Sequence, residues 1–379
     1  MADHFPKDLL INIFLRLGVK QLCQLKCLSK EWLHTISSPH FKKQHRDQSK
    51  KRPNLSLISS SRSDDRSIRS QLIHLASIDS CNYIHECEAI AEIGEGHFVC
   101  SSRLDLLCFY QTGYEGKIWI CNPITKKTLA LPILSYFAGE ACLGYVCSTN
   151  EYKMVASYKG KVKYVEGRVG DSDDWEFEAD YEEFLYFNIL TLKLEEETSV
   201  VGSWRDLFLS FTQYSGTRHL PIHIDGFIYW LAFAKDNSDQ MSILGINLEN
   251  EEVKTLCLPN GYSFGFSHLA EINGHLCLVQ INRDSHMLNI WMLKAHESEG
   301  WCLEYSVEVH ESASNFTIIG YLPRNNDSGD ILIWSIKGNL YCYETDTKKF
   351  KQLQSLSRLE YKWCVLFYES FFSIGLPGN

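Results

Sequence analysis

The chain has 379 residues, of which 45% are hydrophobic and 22% are charged, a composition that excludes a wholly disordered protein and a collagen-like one. At about 150 residues per domain, this length predicts two or three domains. The net charge of −10 argues against general nucleic-acid binding, and no apolar run reaches the roughly 18 residues of a membrane-spanning helix, so we expect neither nucleic acid nor membrane as a partner.

Charge is distributed unevenly along the chain. Residues 1–52 carry eleven Lys or Arg and four Asp or Glu, a net charge of +7, which leaves −17 for the rest. This asymmetry predicts two modules with different surfaces, although a solvated basic helix face would give the same local count.

The N-terminal segment has the apolar spacing of helices. In the first helix, apolar residues recur three and four positions apart: Leu9, Leu10, Ile13, Phe14 and Leu17. Gly18 ends this pattern, two further short apolar stretches follow, and Ser38-Pro39 ends the last of them. The sequence therefore predicts three short helices. Because so small a module buries little surface by itself, we expect it to complete its core against something else.

Beyond residue 50 the apolar period changes. Residues 49–53 are interpreted as a linker, and after Gln71 the period shortens from about 3.6 to 2, which indicates strands. A unit of two β-rich runs joined by a polar turn recurs from these residues: Leu72, Ile118, Phe187, Ile243, Leu288 and Leu340. Repeats of roughly 40–50 residues built from short strands predict a propeller. Asp225-Gly226 and Asn273-Gly274 are typical of tight hairpin turns.

A propeller needs its first and last blades joined, or its strand edges are exposed. Residues 55–58 have the pattern of an orphan strand before the first repeat, and residues 361–368 form a β-rich run after the last. We predict that these two segments share one blade, which gives six blades, with seven as the alternative. In the competing interpretation, residues 55–58 are an apolar patch in a Ser-rich linker.

No catalytic motif has adequate spacing. The sequence contains no G-x-S-x-G elbow, no Walker loop and no H-E-x-x-H, and the dinucleotide fingerprint that starts at Gly94-Glu95-Gly96 has Val99 in place of its third glycine. We therefore expect no cofactor and no enzymatic activity in this chain. A propeller enzyme of the oxidase or glycosidase kind is the alternative.

Residues 171–183 are acidic, with eight carboxylates, and are interpreted as a surface insertion between strands. Asp171, Asp173 and Glu182 occupy three positions of a calcium loop. Trp175 and Glu176, however, stand where a ligand and the obligatory glycine belong. The sequence therefore favours a solvated acidic loop, and we expect no metal.

The chain has fourteen cysteines and no C-x-x-C spacing. Most lie in apolar runs, as Cys277 does between Leu276 and Leu278. The opening residues show no cationic segment followed by an apolar one, so no secretory signal is predicted. We expect reduced thiols packed as small core side chains, and a location in the cytoplasm and/or nucleus.

The N-terminal residues resemble an F-box. Residues 5–17 match its opening, and residues 29–32 and 37–41 match the S-K-x-W and I-S-S-P-x-F ends common in plant members. Three positions depart from the usual pattern: Phe5 in place of Leu, Gly18 in place of Pro and Leu28 in place of Val.

The rest of the chain resembles the F-box-associated, kelch-like domain of plant F-box proteins. The matching stretches are residues 119–125, 144–145, 151–155, 226–231, 289–293 and 368–370. With the periodicity above, this resemblance predicts a small all-α F-box at residues 1–48, a linker at 49–53 and an all-β propeller-like domain of about six blades at 54–375.

The resemblance also implies a function. Such proteins are non-catalytic substrate-recognition subunits of SCF-type (Skp–cullin–F-box) ubiquitin ligases, which bind a Skp-type adaptor and, through it, a cullin, and hold a target protein. The expected adaptor-binding residues are Pro6, Leu9, Leu10, Ile13, Phe14, Leu17, Leu22 and Trp32. A ligand-binding scaffold with an inert F-box is an alternative. Within the leading class, a pollen S-locus receptor for self-incompatibility ribonucleases is a further alternative. The target itself is not readable from the sequence.

Overall fold

A computed structural model describes residues 6–51, 55–62, 70–78, 84–94, 97–100, 105–137, 139–165, 179–194, 198–211, 214–234, 240–262, 266–282, 285–294, 300–309, 316–324, 328–335, 337–355, 363–371, 374 and 376–377. Its helices are α1 (Lys7–Phe14), α2 (Val19–Lys26), α3 (Lys30–Ser37) and α4 (Pro39–Lys51). Within these ranges, no helix is long and apolar enough to cross a membrane.

The helical module (residues 6–51) has four helices: the three that were predicted, α1 to α3, and α4, which the sequence did not predict. Ser38-Pro39 does end α3, but it also starts α4: the Ser38 hydroxyl accepts a hydrogen bond from the Phe41 amide at 3.3 Å, and proline is tolerated in the first turn of a helix. Apart from Phe41, α4 has almost no apolar residue, so its period was invisible in the sequence. Because α4 runs through Lys51, the predicted linker at 49–53 overlaps its last turn, and the domain boundaries stay predictions.

The strands that follow are, in chain order, β1 (Leu55–Arg62), β2 (Ser70–Ile78), β3 (Ile84–Gly94), β4 (His97–Cys100), β5 (Leu107–Gln111), β6 (Gly113–Asn122), β7 (Lys127–Ala130), β8 (Leu134–Phe137), β9 (Ala141–Val146), β10 (Glu151–Val165), β11 (Ala179–Lys193), β12 (Thr198–Val201), β13 (Arg205–Phe211), β14 (Tyr214–Ile224), β15 (Phe227–Ala234), β16 (Met241–Asn247), β17 (Val253–Leu256), β18 (Phe266–Ile272), β19 (His275–Asn282), β20 (Met287–Leu293), β21 (Trp301–Glu308), β22 (Phe316–Pro323), β23 (Gly329–Ser335), β24 (Asn339–Glu344), β25 (Lys349–Ser355), β26 (Trp363–Tyr368) and β27 (Leu376–Pro377).

In the described ranges these strands form six sheets, the blades of a propeller-like domain, in which neighbouring strands are antiparallel except for the parallel pair of β12 and β27. Blade 1 has the order β26-β1-β2-β3, and blade 2 has β4-β5-β6-β7 with β8 added to β6. Blade 3 has β9-β10-β11-β12, with β13 added to β11 and β27 to β12. Blades 4, 5 and 6 are β14 to β17, β18 to β21 and β22 to β25. The prediction of an all-β propeller-like domain with about six blades is confirmed.

The sequence repeat corresponds to one structural position. All six predicted repeat starts fall in the third strand of a blade: β2, β6, β11, β16, β20 and β24. The tight turns are also confirmed, because Asp225 and Gly226 have φ of 44° and 79° and Asn273 and Gly274 have φ of 50° and 81°. Positive φ at both central residues gives a turn whose twist matches the flanking strands.

The ring is closed by strands from both ends of the domain, as predicted. β1 lies between β2 and β26, with Leu55 opposite Tyr368 and Ser60 opposite Trp363. The innermost strands of successive blades contact one another from β4 through β9, β14, β18 and β22 to β26. Blade 1 packs on blade 2 through Phe367 and Phe109. Residues 361–362 of the predicted run lie outside the described residues.

The structure describes only the end of the acidic stretch at residues 171–183. Residues 179–183 belong to β11, so this part of the predicted insertion is strand. Residues 166–178, which contain Asp171 and Asp173 of the predicted calcium-like loop, lie outside the described residues.

Candidate functional site

Four large apolar side chains of the helical module are exposed. They are Leu9 and Ile13 on α1, Leu28 before α3 and Leu33 on α3, with exposed fractions of 47%, 45%, 71% and 47%. Leu9 and Ile13 are four residues apart and therefore lie on one face of α1. An ion pair of 3.2 Å between Lys7 and Glu31 links the first turns of α1 and α3. We refer to Leu9, Ile13, Leu28 and Leu33 as the exposed apolar set.

The predicted adaptor-binding residues fall into three groups. Pro6, Leu9 and Ile13 are exposed, and Leu10, Leu17 and Trp32 are half-buried. Phe14 and Leu22, with 5% and 0% exposure, are buried. The last two therefore hold the helices together instead of offering a surface. For Phe14, the sequence could not show this because the apolar stripe on α1 is wide.

Leu28 and Leu33 were missed by the sequence reasoning. For Leu33, the sequence contained one indication. It is adjacent to Trp32, and neighbouring residues of a helix point in different directions, so both could not face the same core. Trp32 packs edge-on against Phe14, with 5.4 Å between ring centroids, so Leu33 is directed away from that contact.

The core of the helical module includes one side chain from far along the sequence. Its buried residues are Phe14, Val19, Leu22, Ile36, Phe41 and Phe371. Phe371 is 7% exposed and lies in a short segment directly after β26, residues 369–371, which we name the closure segment. The expectation that the module completes its core elsewhere is thus met in part within the same chain.

A buried polar network fixes α4 and the closure segment to blade 2. The Arg46 guanidinium lies 2.6 Å from Oδ1 of Asp105, and the Ser370 hydroxyl donates to Oδ2 of Asp105 at 2.6 Å. Asn122 donates to the Ser370 carbonyl oxygen at 3.2 Å. Asp105, Asn122 and Ser370 are all at most 3% exposed. Arg46 and Ser370 therefore compensate the carboxylate of Asp105 in place of water.

His45 lies at the same junction. Its Nε2 is 2.9 Å from the Leu17 carbonyl oxygen, and its ring lies between those of Phe41 and Phe371, with centroid distances of 6.1 and 5.5 Å. Burial lowers the pKa of His45 below its usual 6.5, against opposing contributions from the Leu17 hydrogen bond and Glu369. The neutral imidazole therefore fits this junction better than the cation.

The helical module lies on one face of the propeller, where its described contacts are with blades 1 to 3. Asp105 precedes β5, Asn122 precedes the β6–β7 turn, and the closure segment follows β26. Arg46 also lies 5.8 Å from the ring centre of Tyr145 and 5.6 Å from that of Tyr152, beside the β9–β10 turn. All these positions lie on the face of the ring where the innermost strands of blades 1 to 3 end. The face where the innermost strands begin lies on the other side of the ring.

Groups suited to catalysis or metal binding are sparse in the part of the chain that the structure describes. There, no group of three or more His, Cys, Asp and Glu could hold a metal ion. Among the carboxyl groups there, burial raises the pKa of Glu140 to about 7, although a hydrogen bond from Thr217 and the charge of Lys159 oppose this. Hydrogen bonds from Lys351 and Thr347 lower the pKa of Glu344 to about 2. Glu140 lies just before β9 of blade 3 and accepts a hydrogen bond from Thr217 of blade 4. We therefore assign it a structural role in joining these two blades.

Comparison with known proteins agrees with this two-part layout. Residues 3–44 match the family described as F-box domain, and residues 45–367 match the family described as F-box associated beta propeller domain. The chain is similar to the F-box protein At1g30790 of Arabidopsis thaliana, at 24% identity, with 93% of this chain and 90% of the relative covered. It is also similar to the F-box protein CPR1 of Arabidopsis thaliana, at 22% identity, covering 92% of this chain and 84% of the relative. The chain belongs to the plant F-box proteins that carry an F-box associated beta propeller domain.

Proposed function

We propose that this protein is the target receptor of an SCF-type ubiquitin ligase. The F-box binds a Skp-type adaptor and, through it, a cullin, and the propeller holds a target protein for ubiquitination. The chain itself has no catalytic step to perform, because transfer of ubiquitin belongs to other subunits of such a ligase. Membership of the F-box family supports this general role.

The observation that carries the proposal is the exposed apolar set. The F-box already packs on the propeller through Phe371, yet Leu9, Ile13, Leu28 and Leu33 stay in contact with water. Full burial of an aliphatic side chain contributes about 1.5–3 kcal/mol, so covering four that are 45–71% exposed would contribute several kcal/mol to binding. An adaptor with an apolar groove would supply that cover.

The target is proposed to bind the face where the innermost strands begin, because the F-box occupies part of the other face. One structure extends from that side: β10 pairs with β11 through Val165, whereas β9 pairs with β10 only as far as Ala156. At about 3.3 Å per residue, residues 157–165 extend roughly 30 Å past the start of β9. This hairpin is long enough to contact a bound protein.

A reducing compartment, the cytoplasm and/or nucleus, is proposed as the location. Six cysteines in the described part of the chain are free thiols: Cys23, Cys27, Cys121, Cys147, Cys257 and Cys302. Disulfides are rare in those compartments.

The test of this function removes exposed side chains and leaves the core intact. Leu9→Ala/Ile13→Ala should weaken binding of a Skp-type adaptor by about 30-fold, which corresponds to about 2 kcal/mol, as measured by titration calorimetry. The melting temperature should stay near that of the wild type because both side chains are exposed. Leu10→Ala/Phe14→Ala would be a poorer test, since Phe14 is part of the core.

Leu303→Ala is the matched control, because Leu303 on β21 is 47% exposed and lies on the propeller. It should bind the adaptor like the wild type. Wild-type adaptor affinity in the folded double variant would contradict this binding surface, and absence of adaptor binding by the wild-type chain would contradict the proposed function.

A further inference from the structure

The closure segment supplies parts that the F-box lacks. Phe371 packs in the F-box core with Phe14, Leu22 and Phe41, although more than 300 residues separate it from them. It is also the ring against which His45 packs. Without it, the centre of a module of fewer than fifty residues would be open to water, and a module of that size has little stability to lose.

The closure segment also contacts both ends of α2. At the first residue of the helix, the Val19 amide donates to Oε2 of Glu369 at 3.4 Å, where a carboxylate meets an otherwise unpaired amide and the positive end of the helix dipole. In the last turn, Nζ of Lys26 lies 4.5 Å from the centre of the Phe371 ring. The position of α2 is therefore set by residues 369–371.

The propeller fixes the closure segment in turn. It follows β26, the innermost strand of blade 1, which pairs with β1 and so completes the ring. Ser370 is held by Asp105 and Asn122 of blade 2. The segment can thus reach the F-box in this arrangement only when β26 is seated between β1 and the neighbouring blades.

We propose that the closure segment makes the adaptor-binding form of the F-box conditional on a closed propeller. Phe371, Ser370 and Glu369 act as positioning residues: they shape α1 to α3 without themselves belonging to the exposed apolar set. A chain whose ring is open carries an F-box with an incomplete core, and it does not present the exposed apolar set in its bound geometry. The effect on adaptor binding rests on the proposed function, whereas the coupling between ring closure and F-box structure does not.

The experiment compares two buried phenylalanines in the full chain by hydrogen–deuterium exchange. Phe371→Ala should accelerate exchange of α1 to α3 by about tenfold or more, while blades 4 to 6 keep wild-type protection. Phe316→Ala is the matched control: Phe316 is 3% exposed in blade 6 and has no place in the F-box core, so α1 to α3 should exchange as in the wild type. Wild-type exchange of α1 to α3 in Phe371→Ala overturns the proposal.

A conservative variant keeps the test open if Phe371→Ala does not fold. Phe371→Leu retains a smaller apolar side chain, so the amides of α1 to α3 should exchange faster than in the wild type. The blades should keep wild-type protection. Equal exchange in Phe371→Leu and the wild type, when Phe371→Ala is insoluble, also overturns the proposal.

The adaptor provides a second readout. Phe371→Ala should lose at least about tenfold in adaptor affinity, and Phe316→Ala should lose none. Unchanged adaptor affinity in Phe371→Ala overturns the proposal. If the wild-type chain itself fails to bind the adaptor, the proposed function fails, and the exchange measurement still decides whether the closure segment controls the F-box.

Discussion

Single buried polar side chains decide how the F-box is attached to the propeller. Asp105 is a carboxylate with almost no contact with water, and it is tolerated because Arg46 and Ser370 occupy its two oxygens. Arg46 is nearly buried as well, with 16% of its side chain exposed. The main contribution of this pair is to fix the position of α4 on the propeller. If Arg46 did not reach Asp105, a buried charge would be left without compensation.

His45 predicts a pH dependence of the same junction. Because burial lowers its pKa below 6.5, the folded protein resists a proton that the unfolded chain accepts. The contribution of neutral His45 to stability is therefore complete above pH 6.5 and is lost as pH falls from 6.5 through the lowered pKa. We expect the melting temperature of the wild type to drop more between pH 7.5 and pH 5.5 than that of His45→Gln, which cannot titrate.

Differential scanning calorimetry at the two pH values checks this expectation. His34→Gln serves as the control, because His34 is exposed on α3, and it should show the same pH dependence as the wild type. An equal drop in the wild type and His45→Gln would mean that His45 does not sense pH in the folded protein.

At the scale of elements, Ser38 shows how one residue serves two helices. Its hydroxyl donates to the Thr35 carbonyl oxygen at 2.8 Å, at the end of α3, and accepts from the Phe41 amide at the start of α4. This local chemistry turns the chain sharply between the helices. This turn places His45 and Arg46 of α4 against the propeller. The polar sequence of α4 did not predict that role.

β1 is the element on which ring closure depends. Deleting residues 54–59 should lower the melting temperature of the whole propeller by more than about 10 °C, because β26 then loses its hydrogen-bonded partner and blades 1 and 6 separate. Circular dichroism measures the transition. The control removes residues 349–354 of the outer strand β25, and we expect a smaller shift, since β25 lies at the outer edge of its blade. Equal shifts would show that closure does not depend on β1.

For the whole molecule, the F-box and the propeller share a buried junction. A fragment starting at Pro53 should keep the circular-dichroism signal of strands, because the blades pack on one another without the helices. Its melting temperature should be lower than that of the full chain, since Phe371 loses its partners in the F-box core.

Asp105→Asn in both backgrounds tests this junction. In the full chain the substitution should cost about 3 kcal/mol in the free energy of unfolding, because the nearly buried Arg46 loses the negative charge that compensates its own. In the fragment Arg46 is absent, and Ser370 can still donate to the amide oxygen of the variant, so the change should be within about 0.5 kcal/mol. Denaturant unfolding measures both, and equal costs in the two backgrounds would argue against a coupled junction.

The sequence by itself determined the features that are encoded over short distances. The apolar spacing predicted α1 to α3, the repeated units marked the third strand of every blade, and the Asp-Gly and Asn-Gly pairs predicted turns with positive φ. Even ring closure could be predicted, because residues 55–58 and 361–368 each carried a strand pattern without a local partner.

Only the tertiary structure decided what depends on contacts between distant residues. The wide apolar stripe of α1 could not show that Phe14 is buried while Ile13 is exposed, because that depends on where Trp32 and Phe41 pack. The same is true of Phe371, whose neighbours in sequence say nothing about a helical core more than 300 residues away. Periodicity reports which residues share a face of one element, whereas the partner of that face is selected by the packing of the whole chain.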